Sequence, residues 1–388
     1  MGRPNRSEQF SPDEVCIVHT IQRCVRRAFL AGMDQQSGKD FSYRREWIRR
    51  RLEALSSVFG IDVLTYAVMS NHIHTILRNR PDVVASWTDE QVATRWLSVF
   101  PGQRVEELHL AQPTEIQVQT LANNPIEMKK IRRRLSDISW FMRALAEPVA
   151  RSANKEDECT GRFWEGRFKA QRITDEAGLL ACAMYVDLNP VRAAMAATPD
   201  ESVHTSAYDR IQAQQGAKID SAAFELVPIF QDETVKQRTQ TSVEQLRKNR
   251  NKKLRSPTGR KVLRDSWLAP LTMDSKVLAK DPQASSDKLR ASDKGFLRIR
   301  WREYVELLRW TARQRISELV EKVPKELSEI LCRLKIDVSM FRDLVWNYKK
   351  YFGKSSCAGS PESMSADAER HGKRWHRGQA QVRQCFAY

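Results

Sequence analysis

The segment Tyr66-Ala67-Val68-Met69-Ser70-Asn71-His72-Ile73-His74-Thr75-Ile76-Leu77 sets two imidazoles around one aliphatic residue inside an apolar, strand-like run. Successive strand side chains point to opposite faces, so His72 and His74 leave the same face and Ile73 the other. Two such rings side by side on a rigid strand can hold a divalent metal. Taken alone, the pair reads first as two ordinary half-buried strand histidines, so a partner motif is required. It lies in Leu179-Leu180-Ala181-Cys182-Ala183-Met184-Tyr185-Val186-Asp187-Leu188-Asn189-Pro190-Val191-Arg192-Ala193, whose apolar residues run together as on a buried helix. Thr174 is the expected N-cap, and Asp175 and Glu176 suit a first turn, where negative charge meets the positive end of the dipole. Pro190 biases Asn189 away from helical geometry, so the helix is expected to end there. Tyr185 and Asn189 are four apart and share a face, which makes the phenol a candidate nucleophile and the carboxamide a candidate third ligand.

These segments resemble the HUH-type tyrosine transposases, both the single-strand insertion-sequence enzymes and the REP-associated tyrosine transposases of bacteria. One signature is Val68-Met69-Ser70-Asn71-His72-Ile73-His74, the other Tyr185-Val186-Asp187-Leu188-Asn189-Pro190-Val191-Arg192-Ala193. Between them Gly161-Arg162-Phe163-Trp164-Glu165-Gly166-Arg167-Phe168 is similar to the family's tryptophan-containing strand, and Ser202-Val203-His204-Thr205-Ser206-Ala207-Tyr208 to its serine- and tyrosine-bearing segment. The blocks keep their order over residues 13–210, about half the chain. The resemblance implies His72, His74 and Asn189 as ligands of Mg²⁺ or Mn²⁺ and Tyr185 as nucleophile. It implies a transposase-type strand transferase that cleaves and rejoins single-stranded or hairpin DNA through a covalent 5′-phosphotyrosine. The family's glycine after Val-Arg-Ala is Ala194 here, and 81–128 stands where relatives have a short connection, which bears on substrate access. Relatives use the tyrosine either on their own site or on a partner's, so a homodimer with shared sites stays open.

A chain of 388 residues has room for two or three domains. Its formal net charge of +17 points to a polyanion such as nucleic acid, although solvated positive faces explain it as well. Seven cysteines, odd in number and without Cys-x-x-Cys, fit free thiols in a reducing compartment. The N-terminus lacks the apolar core of a signal peptide, and no eighteen-residue apolar run occurs. A soluble, cytoplasmic, nucleoid-associated protein without membrane contact is expected.

Along the chain, Val15–Ile21 reads as a strand, Arg44–Phe59 as a helix capped by Ser42, and Ile61–Val68 and His72–Leu77 as paired strands. Asp89–Phe100 reads as a short helix within the less regular stretch 81–128, Met128–Ala153 as a long helix and Phe163–Ile173 as a fourth strand before the tyrosine helix. The sum, β-α-β-β-α-β-α, is α+β: a ferredoxin-like antiparallel sheet with helices on one face. This domain is expected over 13–215, followed by a basic, partly disordered linker or arm over 216–295 and a helical C-terminal region over 296–388. The linker carries the run 247–261; Trp301–Trp310 and Val338–Phe352 are the clearest C-terminal helices.

Arg162, Arg167, Lys169 and Arg172 flank the sheet and can grip phosphates, or equally form a solvated strand face; Arg192 joins them from the second signature. Trp164, Phe168, His204 and Tyr208 read as packing residues. Tyrosine attack requires loss of a proton whose ordinary pKa is about 10, and the sequence names no general base. Two other functions stay in view. One is a domesticated sequence-specific DNA-binding protein without catalysis, the other a metal-dependent hydrolase that never holds DNA covalently.

Overall fold

The structure is a computed structural model and describes residues 9–25, 31–33, 38–102, 110–221, 260–273, 283–314 and 322–387. The first strands form where β-branched and apolar residues concentrate: β1 (Ile17–Arg23), β2 (Ile61–Val68) and β3 (His72–Asn79). Between β1 and β2 lies α1 (Arg44–Ser56), which has no side-chain N-cap; Ser42 instead gives its amide to Asp40. With β4 (Lys169–Ile173) and the two-residue β7 (Cys357–Ala358) the strands make one sheet in the order β2-β3-β1-β4-β7.

The α+β class and the helical C-terminal region are as expected, and the sheet differs from the antiparallel, single-faced picture in two respects. First, β7 joins β4 in parallel, pairing Arg172 with Cys357 and Ile173 with Ala358. Second, helices cover both faces. Helix α1 and α6 (Ile138–Glu156) pack on the side of Val18, Ile73 and Leu77, whereas α7 (Glu176–Asp187) packs with Leu64, Ala67 and Ile76. The reason lies in the composition of α7. Every residue from Ala177 to Asp187 is buried, and a helix apolar all round must be covered on all sides. The sheet covers one side and the C-terminal helices the other. These are α10 (Trp301–Arg313), α11 (Lys325–Arg333), α12 (Val338–Trp346), α13 (Tyr348–Phe352), α14 (Pro361–Arg370) and α15 (Gln379–Val382). Their apolar residues share a single core with α7, so the C-terminal region does not keep a core of its own.

Local chemistry accounts for other departures. The expected helix over 128–153 is two, α5 (Pro125–Leu135) and α6, because Asp137 accepts the Ser139 amide at 2.6 Å and starts a fresh helix. Pro148 inside α6 has no N–H for the Ala144 carbonyl, and buried Arg51 donates to that oxygen at 3.1 Å instead. Gly161 and Gly166 take positive φ, so regular strand pairing begins only at Lys169. The stretch 81–128 holds α2 (Pro81–Ala85), α3 (Asp89–Val99) and α4 (Glu115–Ala122), the last two with capping boxes from Thr88 with Gln91 and Thr114 with Gln117.

After α7 come α8 (Asn189–Arg192), α9 (Ser206–Gln214) and the hairpin of β5 (Lys218–Asp220) with β6 (Lys261–Leu263). Most of the basic run lies outside the described residues. Part of the expected linker is firmly packed: Trp267 and Leu268 are buried, and Ser292 gives its amide and hydroxyl to buried Asp62, which also pairs with Arg78. Among the described residues no helix is long and apolar enough to cross a membrane.

Candidate active site and metal centre

Register on the sheet decides which side chains meet. Arg23 faces His72, Ile21 faces His74, and His19 faces both Ile76 on β3 and Gln171 on β4. His19 is thus the diagonal neighbour of His74, within reach across the strands. Its Nε2 lies 2.9 Å from His74 Nδ1, and the two rings stack 5.2 Å apart. The ring of His72 stands 4.8 Å from that of His74, and its Nδ1 contacts Asn71 Oδ1 at 2.5 Å. His72 is half-buried at the rim; His74 and His19 are buried beneath it.

Helix α7 brings Tyr185 to this face. Asp175, not Thr174, caps it by accepting the Gly178 amide at 2.8 Å. At the other end the chain does not leave helical geometry at Asn189. Leu188 keeps φ −87° and ψ 0°, and Pro190 falls in the first turn of α8, where a missing N–H costs nothing. Tyr185 and Asn189 therefore stay on one side. The Tyr185 ring meets His74 edge-on at 5.6 Å and His19 at 6.1 Å. Arg192 joins them: its Nη2 donates to the Tyr185 hydroxyl at 3.1 Å and to Asn189 Oδ1 at 2.8 Å, and its guanidinium lies 4.4 Å above the tyrosine ring. The Asn189 amide donates to the Tyr185 carbonyl at 3.0 Å, so its oxygen keeps a lone pair beyond the one facing Arg192.

The C-terminal region closes the far side. Tyr348, at the start of α13, stacks on Tyr185 with centroids 4.6 Å apart, leaving Tyr185 only 2 % exposed. Next to it Lys349 stands close enough for its charge to be felt by His72, Arg192, Lys169 and Arg23. Burial, reinforced by Lys349, Arg23 and Arg192, pushes His72 down to about 4. Burial also pushes His19 down to about 3, and holds His74 well below the ordinary imidazole range. All three rings are neutral at physiological pH, the state in which imidazole binds metals. For Tyr185, burial raises the phenol and outweighs the nearby Arg192 charge, so it is a neutral phenol.

Of the sequence-based DNA-binding candidates, Arg192 lies against the tyrosine rather than on open surface. Lys169 is exposed at the start of β4, beside the site, and Arg162 and Arg167 are exposed on the preceding loop. Arg172 does not belong to that surface. It is 7 % exposed, donates to the Gln9 carbonyl and pairs with Glu14 and Asp367, because alternation along β4 turns it to the face opposite Gln171. His19, Gln171, Tyr348 and Lys349 went unrecognised in the sequence.

The residues fit a divalent cation on one specific count: His74 Nε2 is buried and meets no hydrogen-bond partner among the described residues. An imidazole nitrogen left so, next to a second imidazole, suits a hard or borderline ion whose remaining positions other ligands complete. A second group of potential ligands lies elsewhere. Cys357, Asp367 and His376 bring ligand atoms within 4.8 Å of one another, with Asp367 already paired to His376 at 3.0 Å and to Arg172 at 3.6 Å.

No family model matches the chain, and no curated protein matches it. A solved structure of a REP-associated tyrosine transposase bound to a REP hairpin is similar at a TM-score of 0.30 and 11 % identity, over 55 % of this chain and 83 % of that one. A likeness so distant assigns no role to any residue here.

Proposed function

We propose that this protein is a DNA strand transferase of the tyrosine transposase type, with Tyr185 as nucleophile and His72, His74 and Asn189 as ligands of Mg²⁺ or Mn²⁺. The observation that carries the reading is the meeting of Tyr185, both histidines and Arg192 at one point of the sheet. The tyrosine ring lies 5.6 Å from His74 of its own chain, so no second copy is needed to complete the group. Arg23, Lys169, Arg192 and Lys349 surround it with positive charge suited to a phosphodiester.

In the reaction, the Tyr185 oxygen forms a bond to phosphorus as the bond from phosphorus to the 3′ oxygen breaks. The phenol proton is lost and the 3′ oxygen takes one up, leaving a 5′-phosphotyrosine and a free 3′-OH. Arg192 stabilises the oxygen as it loses its proton. A bound divalent ion would supply charge neutralisation and orientation at the scissile phosphate. Because the enzyme–DNA link is itself a phosphodiester, reverse attack by a 3′-OH rejoins strands without a nucleotide cofactor. Single-stranded or hairpin DNA is the proposed partner.

The near-complete burial of Tyr185 under Tyr348 favours a second reading, a DNA-binding protein without catalysis. A denaturing gel with labelled oligonucleotides and Mn²⁺ separates them. The transferase yields a protein–DNA adduct that Tyr185→Phe abolishes while binding persists. Binding without cutting upholds the second reading, and cutting without adduct indicates a hydrolase.

A further inference from the structure

At the outer edge of the sheet three different ligand types converge. Cys357 stands on β7 beside Arg172 of β4, so the two side chains share a face. Helix α14 carries Asp367 over that face, and the loop between α14 and α15 returns His376 to it. The sulfur, a carboxylate oxygen and a ring nitrogen all lie within 4.8 Å of one another, and all three residues are buried. Ligand atoms held tetrahedrally at the usual distances from Zn²⁺ stand about 3.3–3.6 Å apart, so closing on an ion asks for shifts of about 1 Å. A thiolate, an imidazole and a carboxylate form the mixed donor set that Zn²⁺ takes, softer than the set proposed beside Tyr185.

The groups behind these three are those that ligands of a metal require. His376 turns Nε2 towards Asp367 Oδ2, at 3.0 Å, and its Nδ1 lies 3.1 Å from Ser356 Oγ. With Nε2 on the ion, Nδ1–H donates to that hydroxyl, the outer partner that fixes a ligand imidazole. Asp367 keeps Oδ2 for the ion while Oδ1 faces Arg172 and His371, each at 3.6 Å. The Cys357 sulfur meets only the distant Ser355 Oγ, at 3.9 Å, among the described residues, so its lone pairs are uncommitted. The charges also balance. Thiolate and carboxylate together neutralise the ion, and Glu14, 3.2 Å from Arg172, neutralises the guanidinium.

We propose that Cys357, Asp367 and His376 form a Zn²⁺ site, separate from the tyrosine centre, that clasps β7, α14 and the loop before α15 together at the sheet edge. Water takes the fourth position. Binding removes the thiol proton to solvent and forms the sulfur–zinc bond, with no change of oxidation state. The site shares no residue with the tyrosine centre, so it stands or falls independently of DNA cleavage.

The test titrates the full-length protein, stripped by a chelator and dialysed, with Co²⁺ as a coloured substitute for Zn²⁺. One equivalent should bring up a thiolate-to-cobalt charge-transfer band in the near ultraviolet and the visible bands of tetrahedral cobalt, and Zn²⁺ should bleach both. Cys357→Ala should lose the charge-transfer band, His74→Ala should keep it, and Ser356→Ala should weaken binding about tenfold through the unanchored imidazole. Zn²⁺ should raise the melting temperature of the stripped wild type by several degrees and leave Cys357→Ala unmoved. A wild-type spectrum without the charge-transfer band overturns the proposal, whatever the variants do. So does a band that survives Cys357→Ala, since another of the seven cysteines would then hold the ion. Equal thermal shifts in wild type and Cys357→Ala would likewise overturn the clasp.

Discussion

Tyr185 combines what a nucleophile needs with what a core residue has. Its hydroxyl meets a guanidinium, while its ring is sandwiched between Arg192, Tyr348 and the histidines. Arg192 performs two tasks at once, since its Nη2 contacts both the phenol oxygen and the Asn189 oxygen. Arg192→Ala is expected to lower single-turnover cleavage about 100-fold, the usual scale for losing one charge-stabilising donor. Arg192→Lys keeps the charge but cannot hold two oxygens from a planar fork, and should recover only part of the rate. Equal cleavage by Arg192→Ala and wild type would remove the residue from the mechanism. Asp187, in the same signature, serves the fold. It is fully buried and accepts from Ser206 Oγ at 2.5 Å, the Ala207 amide at 3.1 Å and the Tyr304 hydroxyl at 2.6 Å. Asp187→Ala strands those buried donors, and chemical denaturation should show a loss of about 1–3 kcal/mol or more.

At the scale of elements, the joint between α7 and β7 is the tightest in the site's neighbourhood. A Cβ on Gly178 would fall 2.6 Å from the Ala358 carbonyl oxygen, and Asp175, the cap of α7, also accepts the Ser360 amide at 2.8 Å. Gly178→Ala should therefore destabilise by about 1–3 kcal/mol, because backbone rather than a movable side chain stands in the way. An unchanged melting temperature would show that the joint yields freely. This is also the scale at which the sequence stops being legible. The strand carrying His72 and His74 and the helix carrying Tyr185 and Asn189 were readable from apolar runs and their punctuation. The junction at Asn189–Pro190 was not, because a proline that ends one helix can equally open the next turn. His19 lay in a recognisable strand, yet its partnership with His74 depends on a register between strands some fifty residues apart. Gln171 and Tyr348 carry no local signal, since ordinary strand and helix positions become meaningful only through long-range packing. Asp175 rather than Thr174 caps α7, a shift of one residue that hydrogen-bond geometry alone decides.

At the scale of the whole molecule, a net charge of +17 and the cations around His72 predict binding governed by salt. Each phosphate neutralised on a single strand should contribute a slope of about −0.7 in a plot of log affinity against log salt. Affinity for a labelled oligonucleotide that stays flat from low to moderate salt would contradict this. The fold also makes the C-terminal region indispensable: its helices cover the side of α7 turned from the sheet. A chain truncated after 300 should lose cooperative thermal unfolding and bind hydrophobic dyes, and a sharp transition in the truncated form would show that the covering is dispensable.

The parallel strand β7 arrives from residues 357–358, and Tyr348 from the same late stretch of chain. Until Tyr348 and residues 357–358 have folded back onto the sheet, the outer sheet position is empty and the phenol lacks its stacked cover, although both imidazoles and the phenol are already in place in the chain. Closure of this corner of the sheet therefore waits on contacts between distant stretches of chain rather than on neighbouring sequence.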